Sequence, residues 1–255
     1  MLSLTDNIVL VVAAMACSLL FGVLINRIWP AEVRYAAEDL VGWQLNVLAT
    51  VHAVILGFML YTVWTTFTAA QLNADLEANA LTNVYQLSAG LPAAPRAQLE
   101  ELARSYASSV QREDWPELAR GKIPDGGSHR INQLMWRVLT TVKTTTPSES
   151  IAQDHALSEL STLTQLRRTR FLQSTERLPG IFWCVLLVGG VLTIMSVTVF
   201  GSRNYRVHFF QVFSLTLLIT LALLAIADLD RPYQGWVHVD DHAFQRADRA
   251  MHETD

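Results

Sequence analysis

The chain predicts an all-α, polytopic membrane protein: four transmembrane helices, with a long helical extramembrane segment between helices 2 and 3. Three observations predict it. Asp, Glu, Lys and Arg leave four long gaps: 20 residues between Asp6 and Arg27, at least 34 between Asp39 and Asp75, 25 between Arg177 and Arg203, and 21 between Arg206 and Asp228. A bilayer core about 30 Å thick takes roughly 20 apolar residues at 1.5 Å rise, and a charge buried there costs a few kcal/mol. Hydrophobic residues make up 51% and charged residues only 16%, against about 25% charged in ordinary soluble domains. No stretch alternates convincingly at period two, whereas apolar residues recur at helical spacing throughout the middle.

The first span covers about residues 7–29 and is ended by Pro30. It lacks a basic start and a small-residue cleavage site, and its apolar run is longer than a signal-peptide core, so it reads as an uncleaved anchor. A short connector, 31–40, leads to a second span over 41–67. That run is longer than a bilayer needs, so the helix tilts or continues out of the membrane. The polar middle, 68–178, carries three apolar stripes: Leu99, Leu102, Ala103, Tyr106 and Val110; Ile131, Leu134, Met135, Val138, Leu139 and Val142; and Leu157, Leu160, Leu163 and Leu166. Breaks fall at Pro92 and Pro95, at Gly121-Lys-Ile-Pro-Asp-Gly-Gly127, and at Thr144 to Ser148. At the last of these Thr146, Pro147 and Glu149 match N-cap, N1 and N3 of a capping box. The third and fourth spans cover about 181–200 and 207–227, and a polar C-terminal tail follows, 230–255. The lengths suggest four segments (1–67, 68–178, 179–229 and 230–255), with the middle helices stacked on the membrane bundle as one elongated body.

Net charge is -4, so nothing points to nucleic acid. Cys17 and Cys184 lie in apolar runs outside any CxxC pair, which argues against a disulfide framework or a zinc site. No nucleophile elbow, HExxH or phosphate loop is present. The sequence implies no enzyme and no cofactor.

The second span holds the most informative pattern. At about 100° per residue, Gly42, Asn46, Ala49, Thr50, Ala53, Gly57 and Trp64 fall within a sector of about 100°. Small residues with Asn and Thr suit a helix-packing seam; the same stripe also suits a pore-facing surface, and the two coincide if identical subunits pack around an axis. His52 lies off that sector, where it either titrates as a pH-sensitive group or stays neutral and hydrogen-bonds another helix. Ala14, Ser18 and Gly22 form a small-residue seam in the first span, and Gly189-Gly190 suits close packing or a kink in the third. His238, Asp240, Asp241 and His242 have the spacing of a weak metal site if helical, and otherwise belong to a solvated tail. Arg167, Arg168, Arg170 and Arg177 cluster before the third span, suited either to anionic lipid headgroups or to an exposed helix face.

Several stretches resemble the bacterial bestrophin-like (DUF4239) family: Asn26-Arg-Ile-Trp-Pro30, Ala49-Thr-Val-His-Ala-Val-Ile-Leu-Gly-Phe58, Glu77-Ala-Asn-Ala80 and Asp228-Leu-Asp-Arg-Pro-Tyr-Gln-Gly235. Their order and spacing carry the resemblance. More distantly the chain is similar to bestrophins, pentameric anion channels with four spans and a helical cytosolic body. Val54-Ile-Leu-Gly-Phe58 is similar to the bestrophin second-helix motif, and by position the resemblance implies a neck at Thr50, Val54 and Phe58. The sequence departs from that pattern in two ways. Thr50 is polar and Val54 is not aromatic, and Thr66-Phe67 stands where an Arg-Trp pair usually follows.

The resemblance implies self-association as a pentamer in a lipid bilayer, with small ions as possible partners. An even number of spans puts both termini and the middle on one face. Arg27, Arg34, Arg203 and Arg206 favour the connectors inside; Arg167, Arg168, Arg170, Arg177 and Arg231, with the resemblance, favour termini and middle in the cytoplasm of a bacterial inner membrane. The expected function is an oligomeric channel conducting small ions, anions first, through an axial pore lined by the second span. The alternative is a non-conducting membrane scaffold or sensor whose helical middle binds a partner.

Overall fold

A computed structural model of the protein describes residues 4–28, 38–199 and 205–253, and its described regular structure is helical throughout. In chain order the elements are α1 (Leu4–Ile28), α2 (Glu38–Ser88), α3 (Ala93–Ser109), a π turn (Val110–Asp114), α4 (Trp115–Ala119), α5 (Gly127–Thr141), α6 (Pro147–Thr175), α7 (Gly180–Val199), α8 (Tyr205–Leu229) and α9 (His242–Glu253). The chain divides into two compact units: the first holds 1–65 and 177–230, the second 66–176 and 231–255. One division falls inside α2, which continues past the expected span as a single helix of 51 residues. Pro30, Arg34, most of the first connector and Arg203 lie outside the described residues.

The first unit gathers the apolar runs. α2, α7 and α8 are each long and apolar enough to cross a membrane, and the 25-residue α1 carries the apolar stretch Val11–Ile25. Within this unit α8 packs on α1 and α7, and α1 also meets α7. Ser18 of the expected seam is buried, and Gly22 sits in ordinary contact range of Thr198. Thr193, Thr198 and Thr220 each donate to a carbonyl of their own helix, at 2.8, 2.7 and 2.7 Å. Those hydroxyls need no partner across the interface.

In the second unit the stripes read from the sequence supply the core. Leu99, Ala103, Tyr106 and Val110 are buried, as are Met135 and Leu139 on α5 and Leu160 and Leu163 on α6, whereas Leu134 stays exposed. α3 packs on α5, α5 on α6, and α9 on α3. The capping box forms as expected: Glu149 N donates to Thr146 Oγ1 at 3.2 Å, and Glu149 Oε2 accepts from Thr146 N at 3.3 Å. Glu149 Oε2 also accepts from Thr145 N at 2.7 Å and Thr145 Oγ1 at 3.0 Å, and these bonds, the backbone one first, hold its carboxyl below the usual carboxylate range. A folded pKa below the unfolded one makes the box intact at neutral pH and lost as pH falls through the lowered value. Thr146→Ala should cost about 1 kcal/mol, read as a lower thermal midpoint; an unchanged midpoint would show that this helix end contributes nothing to stability.

The C-terminal segment is polar by count, but it is not a free tail. Residues 231–253 belong to the second unit, and Tyr233, Val239, Phe244, Ala247 and Met251 are buried there. Trp115 is the reason. Its indole Nε1 donates to Val239 O at 3.1 Å, and its ring meets Tyr233 at 5.8 Å and Phe244 at 5.5 Å, both edge-on.

Candidate functional site

α2 presents two unlike faces within the first unit. His52, Met59 and Val63 are buried, and at 100° per residue they lie on one side of the helix. The opposite side is uncovered by the chain: Trp43, Val47, Thr50, Val54, Phe58 and Tyr61 are all exposed, Val54 by 68% and Phe58 by 64%. The neck candidates Thr50, Val54 and Phe58 advance by roughly 40° per step along that side. Asn46, Ala53 and Gly57 of the stripe are exposed beside them, while Gly42 and Ala49 are half-buried. A Cβ built on Gly57 would meet nothing within 4 Å, so the chain itself makes no use of its missing side chain.

His52 explains the paired glycines of α7. A Cβ on Gly189 would come 2.5 Å from His52 Nδ1, and one on Gly190 would come 3.6 Å from Nε2. The imidazole therefore fits only because Gly189 lacks a side chain, while at Gly190 it lies at ordinary contact distance. His52 is 4% exposed, and neither ring nitrogen has a hydrogen-bond partner among the described residues. The interhelical hydrogen bond expected of a neutral His52 is thus absent: the ring packs on glycine backbone, which turns no hydroxyl or amide side chain toward it.

A second arrangement lies inside the second unit. Arg170 is fully buried; its Nε donates to Glu77 Oε2 at 2.8 Å, and its Nη2 donates to Glu77 Oε1 at 3.1 Å and to Asp114 Oδ2 at 2.8 Å. Tyr106 OH donates to Glu77 Oε1 at 2.7 Å, Ser128 Oγ to Asp114 Oδ2 at 2.7 Å, and Arg167 Nε to Ser128 Oγ at 2.9 Å. The Arg170 guanidinium also lies 5.1 Å from the Trp115 ring centroid and 4.9 Å from that of Phe171. Burial opposes the charge on Arg170, but Glu77 and then Asp114 outweigh it and push the pKa up. Burial, reinforced by Glu77, pushes the Tyr106 hydroxyl well up, so it stays protonated as a donor.

The π turn helps build this cluster. Trp115 N bonds Val110 O, five residues back, and Pro116, which has no N–H to give, follows at once. In an unbroken α-helix Trp115 would lie roughly 140° round from Val110. The wide turn cuts that rotation, so Asp114, Trp115 and Leu118 all face inward.

Two expectations are corrected here. Arg167 and Arg170 do not face lipid headgroups: they are 7% and 0% exposed, because they continue the buried stripe of Leu160 and Leu163 along α6. Arg168 is exposed, and Arg177 lies in the first unit and is half-buried. The metal spacing of His238 and His242 needs one helix through both, but α9 begins only at His242. Asp240 Oδ1 accepts from His242 N at 3.1 Å, and Asp241 Oδ1 from Gln245 Nε2 at 2.8 Å, so both acids serve the start of α9. No group of three or more His, Cys, Asp or Glu gathers among the described residues. Glu77, Tyr106, Asp114 and Ser128, which carry the cluster, were not among the sequence candidates. The signal for Glu77 was a carboxylate on the same buried helix face as Ala70, Ala74 and Leu81.

A family model described as a Bestrophin-like domain matches residues 12–244. Three solved structures of a bacterial bestrophin homologue from Klebsiella pneumoniae, each a point variant, share the fold. One has TM-score 0.69 at 16% identity and covers 93% of this chain and 98% of that one. A second has TM-score 0.66 at 16%, covering 94% and 98%, and a third 0.65 at 18%, covering 95% and 97%. No curated protein matches the chain.

Proposed function

We infer function from one premise: this chain belongs to the bestrophin-like family. It is an integral membrane protein, and on that premise we propose an oligomeric channel that conducts small ions, anions first, along an axis lined by α2. The observation that supports the reading is the uncovered face of α2, where Thr50, Val54 and Phe58 lie in line, opposite the side that the chain packs. Large uncovered apolar faces mark surfaces that meet lipid or another protein. Thr50 and Asn46 on that face call for something other than lipid tails. Copies of the chain around an axis, five by the family resemblance, would bring those positions together. In this arrangement the apolar rings at Val54 and Phe58 control wetting of the path.

Planar-bilayer recording of the purified protein tests conduction; no current across pH and calcium conditions would overturn it. Assembly has a separate test. Gly57→Leu leaves the single chain unhindered, since nothing lies within 4 Å of the added Cβ, and should still break the oligomer in detergent if this face is a close seam. A variant that keeps the wild-type oligomer size would remove Gly57 from the seam. Termini and second unit are placed in the cytoplasm of a bacterial inner membrane, with exposed Arg168 beside anionic headgroups; a reporter fused to the C-terminus checks the side. The rival reading, a non-conducting scaffold, draws on the exposed Ile123, Trp236 and Val237 of the second unit, and predicts partner binding without current.

A further inference from the structure

One loop of the second unit is held firmly at its base and carries a large apolar side chain at its tip. Val239 N donates to Pro232 O at 2.7 Å, and Gln234 N donates to Arg231 O at 2.9 Å, so the chain doubles back on itself over 231–239. Tyr233, Gln234 and Val239 are buried, and Val239 O accepts from Trp115 Nε1 at 3.1 Å. Between these anchors Gly235, at φ +94°, takes the left-handed turn that sends the tip outward. That tip is Trp236, 71% exposed, followed by Val237, 48% exposed. A second loop adjoins it: a Cβ on Gly121 would come 2.9 Å from Gln234 Nε2, and Ile123, two residues on, is 62% exposed. Holding an indole and two branched aliphatic chains in water is unfavourable, so a surface outside the chain covers them.

The bilayer is within reach of that tip. α8, long and apolar enough to cross a membrane, ends at Leu229, and only residues 230–235 separate it from Trp236. Fully extended, that stretch spans about 24 Å, and the turn at Arg231–Gln234 shortens it. Indole suits the zone where hydrocarbon meets headgroups, because its ring is apolar while its N–H stays near water. Arg231 at the base of the loop and Lys122 next to Ile123 are both exposed, and supply cations for headgroup phosphates. We propose that Trp236 and Val237, with Ile123 of the adjoining loop, dip into the headgroup zone of the bilayer that the spans cross, and anchor the second unit to it. The anchor stands whether or not the chain conducts. It assigns to lipid the patch that the scaffold reading would give to a protein partner.

The test uses the full chain in vesicles of phosphatidylcholine and phosphatidylglycerol, with Cys17→Ala and Cys184→Ala removing the exposed native thiols. Trp236→Cys and, separately, Val237→Cys carry a nitrobenzoxadiazole label, with Ser148→Cys as the control. Ser148 is exposed at the start of α6, about 40 Å along that helix from the end that leads into the next span. Both tip labels should emit to the blue of the control. A spin label carried near the lipid headgroup should quench them about twofold or more, and one carried near the chain end should quench them less. The control should respond to neither. Tip labels that emit as in water overturn the anchor. Blue-shifted tip labels that neither lipid-borne quencher reaches also overturn it, and assign the patch to a protein surface.

Discussion

Arg170→Ala should cost about 3–5 kcal/mol, the usual result of removing one partner from a buried ion pair. The substitution leaves Glu77 and Asp114 facing each other inside the second unit, where Arg170 now bonds both at 2.8 Å. Because all three side chains are fully buried, solvent cannot screen the uncompensated charge. Glu77→Ala should cost less, since Asp114 still pairs with the guanidinium, although Arg170 Nε and Tyr106 OH both lose their acceptor. Denaturant unfolding of the detergent-solubilised protein, followed by near-UV circular dichroism, measures both. A loss below about 1 kcal/mol for Arg170→Ala would match an exposed pair, and would mean that water reaches the cluster.

Phe58→Ala should raise ion flux per folded oligomer several-fold. If α2 lines the proposed path, a smaller ring at Phe58 lets water persist there, so the barrier from dewetting falls. Truncating a packed Phe costs about 3–5 kcal/mol through the cavity it leaves. Phe58 is 64% exposed within its own chain, however, so little packing inside the chain is at stake. Flux and oligomer yield, measured together, separate the two roles. Reduced yield with unchanged flux per oligomer would show that Phe58 packs between copies and lines no path.

Family and architecture were legible from residues whose meaning does not depend on a partner. A charge-free run reads as a span because burying a charge is costly wherever the helix sits. Thr146, Pro147 and Glu149 read as a helix start because all the bonds of a capping box lie within one turn. The uncovered face of α2 was half-legible. Periodicity grouped Asn46, Thr50, Ala53 and Gly57, but which side the chain covers depends on where the other helices pack: His52, Met59 and Val63 mark the covered side, with His52 against Gly189.

The basic cluster shows the opposite case. Arg167, Arg168, Arg170 and Arg177 look alike in sequence, and charge alone favours an exposed or lipid-facing position. Their fates were decided by register along α6 and by Glu77 and Asp114, respectively 93 and 56 residues from Arg170. Asp114 and Trp115 reached the interior through a π turn that no local pattern announced. The sequence by itself determined the helices, their four apolar runs and the family, because those follow from hydropathy, period and caps along one stretch of chain. Only the tertiary structure decided which arginines are buried, that the C-terminal segment folds onto Trp115, and which face of α2 stays open. Each of those depends on desolvation and pairing between residues far apart in the chain.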